Sequence, residues 1–229
     1  MIAKIYFFSY LRQQIMRRNV FLAKKAGFVL LVSMVLTTAC HRPRERVQLT
    51  EMDCFRDGDM VLRCGGGAES HAVVRHSQSS YSHIGILQYD SLNAEWLVIH
   101  AVPGESPVGE KDYVKVEPLT DFYAPERALR GAWMRVDCSD EVARKAACYC
   151  RMKFDEKVVF DNKYLLADTT QLYCCELVWR AYLHQGIDIS GGKRYDVPTV
   201  FCKEGECILP ANIENSETTL FVKPFNIKR

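Results

Sequence analysis

An uncharged apolar run near the N-terminus decides how much of this chain can fold as a globular domain. Residues 27–39 read GFVLLVSMVLTTA and follow two pairs of basic residues. A transmembrane helix needs about 20 apolar residues to cross the hydrocarbon core, so this run is too short for one. A basic start, a short apolar centre and small residues at the end are typical of a secretory signal. We therefore expect residues 1–40 to be a signal peptide, with residues 1–15 a mis-assigned extension if translation starts at Met16.

The signal ends at Cys40, and the Thr-Ala-Cys sequence there resembles the lipobox of bacterial lipoproteins. In a lipoprotein this thiol is acylated and the cysteine becomes the new N-terminus. Leu36 lies one place further upstream than the usual lipobox leucine. We expect a lipid anchor at Cys40, a polar tether over residues 41–52 and a location on the periplasmic side of the bacterial cell envelope. The alternatives are a signal cut near Ala39 with an unmodified cysteine, or an uncleaved anchor.

The charge of the chain is divided between its two parts. Residues 1–46 carry nine basic residues and one acidic residue, whereas the remainder carries 21 basic and 27 acidic residues. A mildly acidic body without a basic stripe argues against nucleic acid as a partner. A content of 48% hydrophobic and 25% charged residues is that of an ordinary globular protein. We expect one domain over residues 53–229.

The sequence contains ten cysteines. Export would allow them to form disulfides, because an oxidising compartment permits these bonds. Without Cys40 nine remain, so at least one thiol stays unpaired unless two chains are linked. Cys202 and Cys207 are spaced to close a small loop. No Cys-x2-Cys pair is present, and the pairs at 148–150 and 202–207 lack partners at zinc-ligand spacing. We expect neither a metal nor an organic cofactor.

The hydrophobic pattern predicts an α+β domain with a largely antiparallel sheet. A helix is predicted over residues 174–185, where the apolar residues form one stripe that would pack on a sheet and Gly186 ends the helix. The tail after Pro198 has no strong periodicity. The other predicted elements are strands at 60–62, 82–87, 96–100, 114–119 and 132–136, and helices at 68–76 and 140–150.

One cysteine lies where its thiol can be activated. Cys174 begins the predicted helix, and a helix N-terminus and a neighbouring histidine both favour the thiolate. The unpaired N–H groups there can also hold an oxyanion. His83 and His100 lie on adjacent predicted strands and are the candidate bases. If the strands pair in the right register, His83 lies beside the thiolate and His100 orients its ring, which is the arrangement of a catalytic triad.

Four short motifs occur in an order that resembles one enzyme family. They read DGD at 57–59, YSHIG at 81–85, KFD at 153–155 and YCCELV at 173–178. The sequence is similar, over about residues 53–190, to the YiiX/YebB-like cysteine hydrolases, a circularly permuted branch of the NlpC-type papain-fold cell-wall peptidases. The resemblance implies a permuted papain-like fold, in which a mostly antiparallel sheet packs against a helix that starts at the nucleophilic cysteine.

The resemblance also assigns roles by position. Cys174 becomes the nucleophile, Cys175 occupies a place where the family often has serine, and His83 becomes the base. The third position, frequently Glu in permuted members, is His100 here. A neutral histidine would orient an imidazolium without stabilising its charge as a carboxylate does, so we expect a less strongly stabilised ion pair.

The function that these expectations imply is an exported, lipid-anchored cysteine hydrolase. It would cleave amide bonds through a thiol acyl-enzyme, with peptidoglycan peptides as substrates and the membrane as a partner through the anchor. One alternative is a lipid ester hydrolase or acyltransferase of the lecithin:retinol acyltransferase type, which an apolar entrance would favour, whereas a polar cleft would favour peptides. Another is a non-catalytic lipoprotein that binds peptides. The loops at 64–80, 102–127 and 156–172 are expected to line the pocket.

Overall fold

A computed structural model describes residues 52–195 and 205–225 of the chain. The predicted signal peptide with Cys40, the tether up to residue 51, and Cys202 lie outside the described residues. Within the described ranges, no helix combines the length and hydropathy needed to span a bilayer.

A six-stranded antiparallel sheet forms the centre of the domain, as the sequence pattern predicts. The strands of the described residues are β1 (Met60–Cys64), β2 (His83–Asp90), β3 (Glu95–Ala101), β4 (Val114–Pro118), β5 (Arg130–Val136), β6 (Val159–Phe160), β7 (Gln171–Leu172) and β8 (Thr219–Phe225). The sheet has the strand order β4-β3-β2-β1-β5-β8. A separate pair of short parallel strands consists of β6 and β7.

Two helices, α3 (Asp140–Asp155) and α4 (Cys174–Leu183), pack on one face of the sheet. There they enclose a core with Ile84 and Ile86 of β2. The opposite face carries a second, partly aromatic core that includes Leu87, Phe122 and Trp133. The domain is therefore α+β, with apolar layers on both sides of the sheet. The helices are α1 (Ala68–Ser77), α2 (Leu119–Phe122), α3 (Asp140–Asp155), α4 (Cys174–Leu183) and α5 (Pro210–Glu214), and a 3-10 turn spans Met52–Cys54.

The structure differs from the sequence prediction at several element ends. Helix α3 continues five residues beyond the predicted end at 150, and its Phe154 packs against the core. Strand β4 ends at Pro118, so Leu119 begins α2 instead of closing the strand. A proline has no N–H to donate to a strand ladder, which explains the end of β4 at that residue.

The tail after Pro198 contains two elements that its sequence pattern does not reveal. Helix α5 leads into β8, and the Thr219 hydroxyl donates to the Ile213 carbonyl at 2.8 Å where the chain turns. Strand β8 then pairs with β5, with Val222 opposite Met134. The pairing edge that orders β8 comes from a strand more than 80 residues earlier in the chain, so a local pattern carries no sign of it.

The register of β2 and β3 places both candidate histidines on the same face of the sheet. Ile86 pairs with Ile99, so the next pair along the ladder is Gly85 with His100, and His83 lies two residues from Gly85. A Cβ at Gly85 would lie 2.4 Å from Cγ1 of Val98 and 3.2 Å from Cβ of His100. Position 85 must be glycine because the histidine strand closely approaches its neighbour there.

We predict that Gly85→Ala lowers the free energy of unfolding by about 1–3 kcal/mol, because the new methyl group overpacks a buried strand pair. Urea unfolding of the variant measures the change. Gly66→Ala is the control, since its Cβ would make only an ordinary contact of 3.9 Å with Leu129. A Gly85→Ala protein as stable as the parent would contradict the close approach of β2 and β3.

Candidate active site

Cys174 is the first residue of α4, where the helix exposes its unpaired N–H groups. Its N-cap residue, Tyr173, is extended, with φ −99° and ψ 174°. The sulfurs of Cys174 and Cys175 lie 3.9 Å apart, and the Cys175 thiol donates a hydrogen bond to Cys174 when Cys174 is ionised. This hydrogen bond lowers the pKa of Cys174 well below its usual value, although burial acts against it; His83 and the Ile84 N–H lower the pKa further. The arrangement therefore favours a thiolate at Cys174.

His83 is the first residue of β2, and its ring hydrogen-bonds to Cys174 at the end of the sheet. The side chain is almost completely buried. Burial lowers the pKa of His83 to about 4, although the hydrogen bond to Cys174 acts in the opposite direction. An imidazolium at this position therefore gives up its proton readily.

His100 continues the hydrogen-bond chain away from the sulfur. Its Nδ1 lies 2.7 Å from Nε2 of His83, and its Nε2 lies 3.0 Å from Oε1 of Glu117 on β4. A carboxylate only accepts hydrogen bonds, so His100 donates from Nε2 and accepts at Nδ1. His83 must then donate from Nε2, which leaves its Nδ1 for the sulfur. The structure thus brings together Cys174, His83 and His100 in the order expected from the sequence.

Glu117 is the last residue of this hydrogen-bond chain, and it was not predicted from the sequence. Its Oε2 lies 2.6 Å from Nη1 of Arg127 and 2.8 Å from Nζ of Lys115. Burial opposes ionisation, but hydrogen bonds from His100 and Lys115 outweigh it and hold the pKa of Glu117 well below its usual value. The only sequence signal was the alternation VKVEP in β4, which places Lys115 and Glu117 on one face.

A second carboxylate, Glu105, ties the neighbouring loop to the same cations. It lies 2.6 Å from Nη2 of Arg63 and 2.6 Å from Nζ of Lys115. Burial opposes ionisation here too, but these cations, with Arg63 as the largest contributor, outweigh it and lower the pKa of Glu105 to about 2. Arg63 also donates to the Phe122 carbonyl at 2.9 Å. The wall behind the two histidines is therefore a network of ionised side chains.

Three other residues of the four sequence motifs make hydrogen bonds or ion pairs within the fold. Asp59 is buried away from the sulfur and accepts from Nε1 of Trp133 and from Arg135. The Tyr173 hydroxyl accepts from the Ile208 N–H at 2.8 Å, so it anchors the segment before α5. Glu176 pairs with Arg180 at 2.7 Å, and burial raises its pKa to about 7. None of the three lies in the hydrogen-bond chain of Cys174.

A cavity of about 260 Å³ opens beside Cys174 and His83. All three loops expected to line a pocket contribute to it, and residues 208–210 add a part of the wall that the sequence did not suggest. Apolar side chains line part of the wall. The charged and phenolic side chains in the wall are Arg63, Glu69, Glu105, Glu126, Arg127, Tyr164 and Tyr173.

Comparisons with known proteins support the fold only. No protein-family model matches the sequence. No curated protein matches it either. Among solved structures, the chain is similar to the crystal structure of the metalloprotein yiiX from Escherichia coli O157:H7, with a TM-score of 0.59 and 18% sequence identity. The match covers 76% of this chain and 97% of that chain. The similarity supports a YiiX-like fold.

We predict that Cys174 reacts with iodoacetamide well below pH 8, because its lowered pKa keeps the thiolate populated as the pH falls. An ordinary thiol loses reactivity about tenfold per pH unit in acid, and the exposed Cys148 on α3 is the internal reference. Peptide mass mapping of the full-length protein measures both rates. His83→Ala should slow the alkylation of Cys174 and leave that of Cys148 unchanged. An inert Cys174 would contradict the thiolate.

We predict that Glu117→Gln raises, by about one pH unit, the pH below which the alkylation of Cys174 slows. The carboxylate favours a proton on the histidine pair, and that proton in turn favours the thiolate. Losing the negative charge therefore raises the pKa of Cys174. Glu95→Gln, at the opposite end of β3, is the control. If the pH at which alkylation slows is the same in Glu117→Gln and the parent, Glu117 has no electrostatic effect on the sulfur of Cys174.

Proposed function

We propose that this protein is a cysteine hydrolase that cleaves amide bonds through a thiol acyl-enzyme. The observation that carries the proposal is the unbroken hydrogen-bond chain from Cys174 through His83 and His100 to Glu117, which begins at a helix N-terminus and borders a cavity. Nucleophile, base and orienting group in hydrogen-bond contact are the signature of nucleophilic catalysis. A cysteine with a purely structural role would not need this chain of hydrogen bonds.

In the proposed reaction the thiolate of Cys174 attacks the carbonyl carbon of the substrate. The tetrahedral intermediate expels the amine as the C–N bond breaks, and the imidazolium of His83 gives that amine a proton. A thioester remains on Cys174. Neutral His83 then takes a proton from water, the hydroxide attacks the thioester, and the carboxylic acid leaves while the thiolate is restored. The low pKa of His83 suits the proton donation to the leaving amine.

We propose peptides, and in particular the peptides of peptidoglycan, as the substrate class. The charged groups in the cavity wall include Arg63, Glu105 and Arg127, and such a wall suits a polar substrate better than an acyl chain. Lipid anchoring at Cys40 and export would bring the protein to the cell wall. The lipid-ester alternative draws support from the apolar part of the wall, which includes Phe160 and Leu209.

We further propose that the domain is a circularly permuted papain-like fold. In support, the strands with His83 and His100 precede the helix that starts at Cys174 in the chain, and the sheet is mostly antiparallel. The similarity to yiiX is consistent with this arrangement, although it concerns the fold of 76% of the chain at low identity.

The yiiX protein is a metalloprotein, but the site residues of this chain do not fit a metal. Among the described residues, no group of three or more His, Cys, Asp or Glu side chains is arranged to hold an ion. Nε2 of His83 and Nδ1 of His100 are 2.7 Å apart, whereas two nitrogens at 2.0–2.1 Å from one tetrahedral zinc would be roughly 3.3 Å apart. The ring nitrogens that face each other are engaged in a hydrogen bond.

We predict that the full-length protein releases fragments from a synthetic stem peptide with a γ-D-glutamyl amide bond, measured by chromatography and mass spectrometry. Cys174→Ala should abolish turnover, because it removes the sulfur that forms the thioester, and Cys148→Ala should retain it. Phosphatidylcholine vesicles test the lipid alternative in the same assay. Turnover of lipid alone would replace the peptide proposal. A Cys174→Ala protein that binds the peptide as tightly as a parent without turnover would support the binding lipoprotein instead.

A further inference from the structure

Tyr164 is a cavity residue with an unusual backbone conformation. Its φ is +57°, in the left-handed region that residues with a side chain rarely adopt. The residue lines the same cavity as Cys174 and His83. Backbone strain of this kind persists only where the surroundings enforce it, and it is concentrated at functional sites.

A buried carboxylate holds this conformation in place. Asp161, which is 1% exposed, accepts the N–H of Lys163 at 2.8 Å through Oδ1 and the N–H of Leu165 at 2.6 Å through Oδ2. The two amides flank Tyr164, so one carboxylate fixes the backbone on both sides of it.

The ring of Tyr164 is fixed against the start of the nucleophile helix. Its centroid lies 4.9 Å from that of Tyr173, the N-cap residue of α4. Phe160 contacts the ring from another side, with centroids 5.8 Å apart. The strained turn therefore has one evident consequence, which is to hold a phenol in the wall of the cavity near Cys174.

This phenol keeps its proton at any pH at which the site works. Burial raises the pKa of Tyr164, and the negative charge of Cys174 raises it further, ahead of the charge of Glu69. The hydroxyl can therefore donate a hydrogen bond to an atom that becomes negative in the cavity.

We propose that Tyr164 is a catalytic residue whose hydroxyl donates a hydrogen bond to the substrate carbonyl oxygen and stabilises the oxyanion formed when Cys174 attacks. Asp161 is its positioning residue. The proton stays on the phenol throughout, and the N–H groups at the start of α4 supply the other donors. This inference rests on the proposed function, because an oxyanion forms only if the thiolate attacks a carbonyl.

The test compares two reactions of the same sulfur. Acylation by p-nitrophenyl acetate passes through an oxyanion and releases a coloured phenolate, whereas alkylation by iodoacetamide forms none. Tyr164→Phe keeps the stacked ring and should slow acylation by roughly 10–10³-fold, with alkylation of Cys174 unchanged. Asp161→Ala should give the same split. Tyr89→Phe, at the far end of β2 and 45% exposed, is the control that retains both rates.

The outcomes separate this inference from the proposed function. If Tyr164→Phe is acylated as fast as the parent, or loses both reactions equally, Tyr164 is not an oxyanion donor. If the parent is alkylated at Cys174 but never acylated, the hydrolase proposal fails, and this inference fails with it.

Discussion

The ionised carboxylate of Glu117 is the group on which the geometry of the site depends. A buried charge is costly unless it is paired, so Glu117 is ionised because Lys115 and Arg127 lie against it. The carboxylate in turn accepts from Nε2 of His100 and so determines the tautomer of that ring. The tautomer of His100 then determines which nitrogen of His83 remains for the sulfur. Lys115 and Arg127, which are partly exposed, therefore influence the protonation of Cys174 through three hydrogen-bonded side chains.

This chain of hydrogen bonds requires three neighbouring strands in one register. His83, His100 and Glu117 come from β2, β3 and β4, and each contact joins residues offset diagonally across a strand pair. A shift of one residue in either pairing would turn one side chain to the other face of the sheet. Gly85 has a direct part in this register, since only a residue without a Cβ fits against Val98 and His100. The packing of the sheet and the chemistry of the site are thus set by the same contacts.

The residues that could be predicted from the sequence are those with a local signature. Cys174 stands at a recognisable helix start, and the two histidines lie on strands joined by a short turn, so their side chains could be expected to meet. Glu117 could not be predicted, because its role depends on β4 pairing with β3. Tyr164 could not be predicted either, since its position follows from a left-handed turn held by Asp161. Strand β8 is ordered by a distant partner and leaves no local pattern.

The second histidine changes how the charge of the site is shared. Coulomb attraction falls inversely with distance, so placing His100 between His83 and Glu117 roughly halves the stabilisation that a directly bonded carboxylate would give. The cations around Glu117 reduce it further, and the pKa of His83 falls to about 4 as burial dominates. The thiolate of Cys174 therefore needs stabilisation from other groups in addition to His83. The Cys175 thiol and the Ile84 N–H supply part of that stabilisation, and a position at a helix N-terminus favours a thiolate as well. The Cys175 thiol therefore has an electrostatic role toward Cys174, and in the proposed reaction the lowered pKa of His83 suits the protonation of the leaving amine.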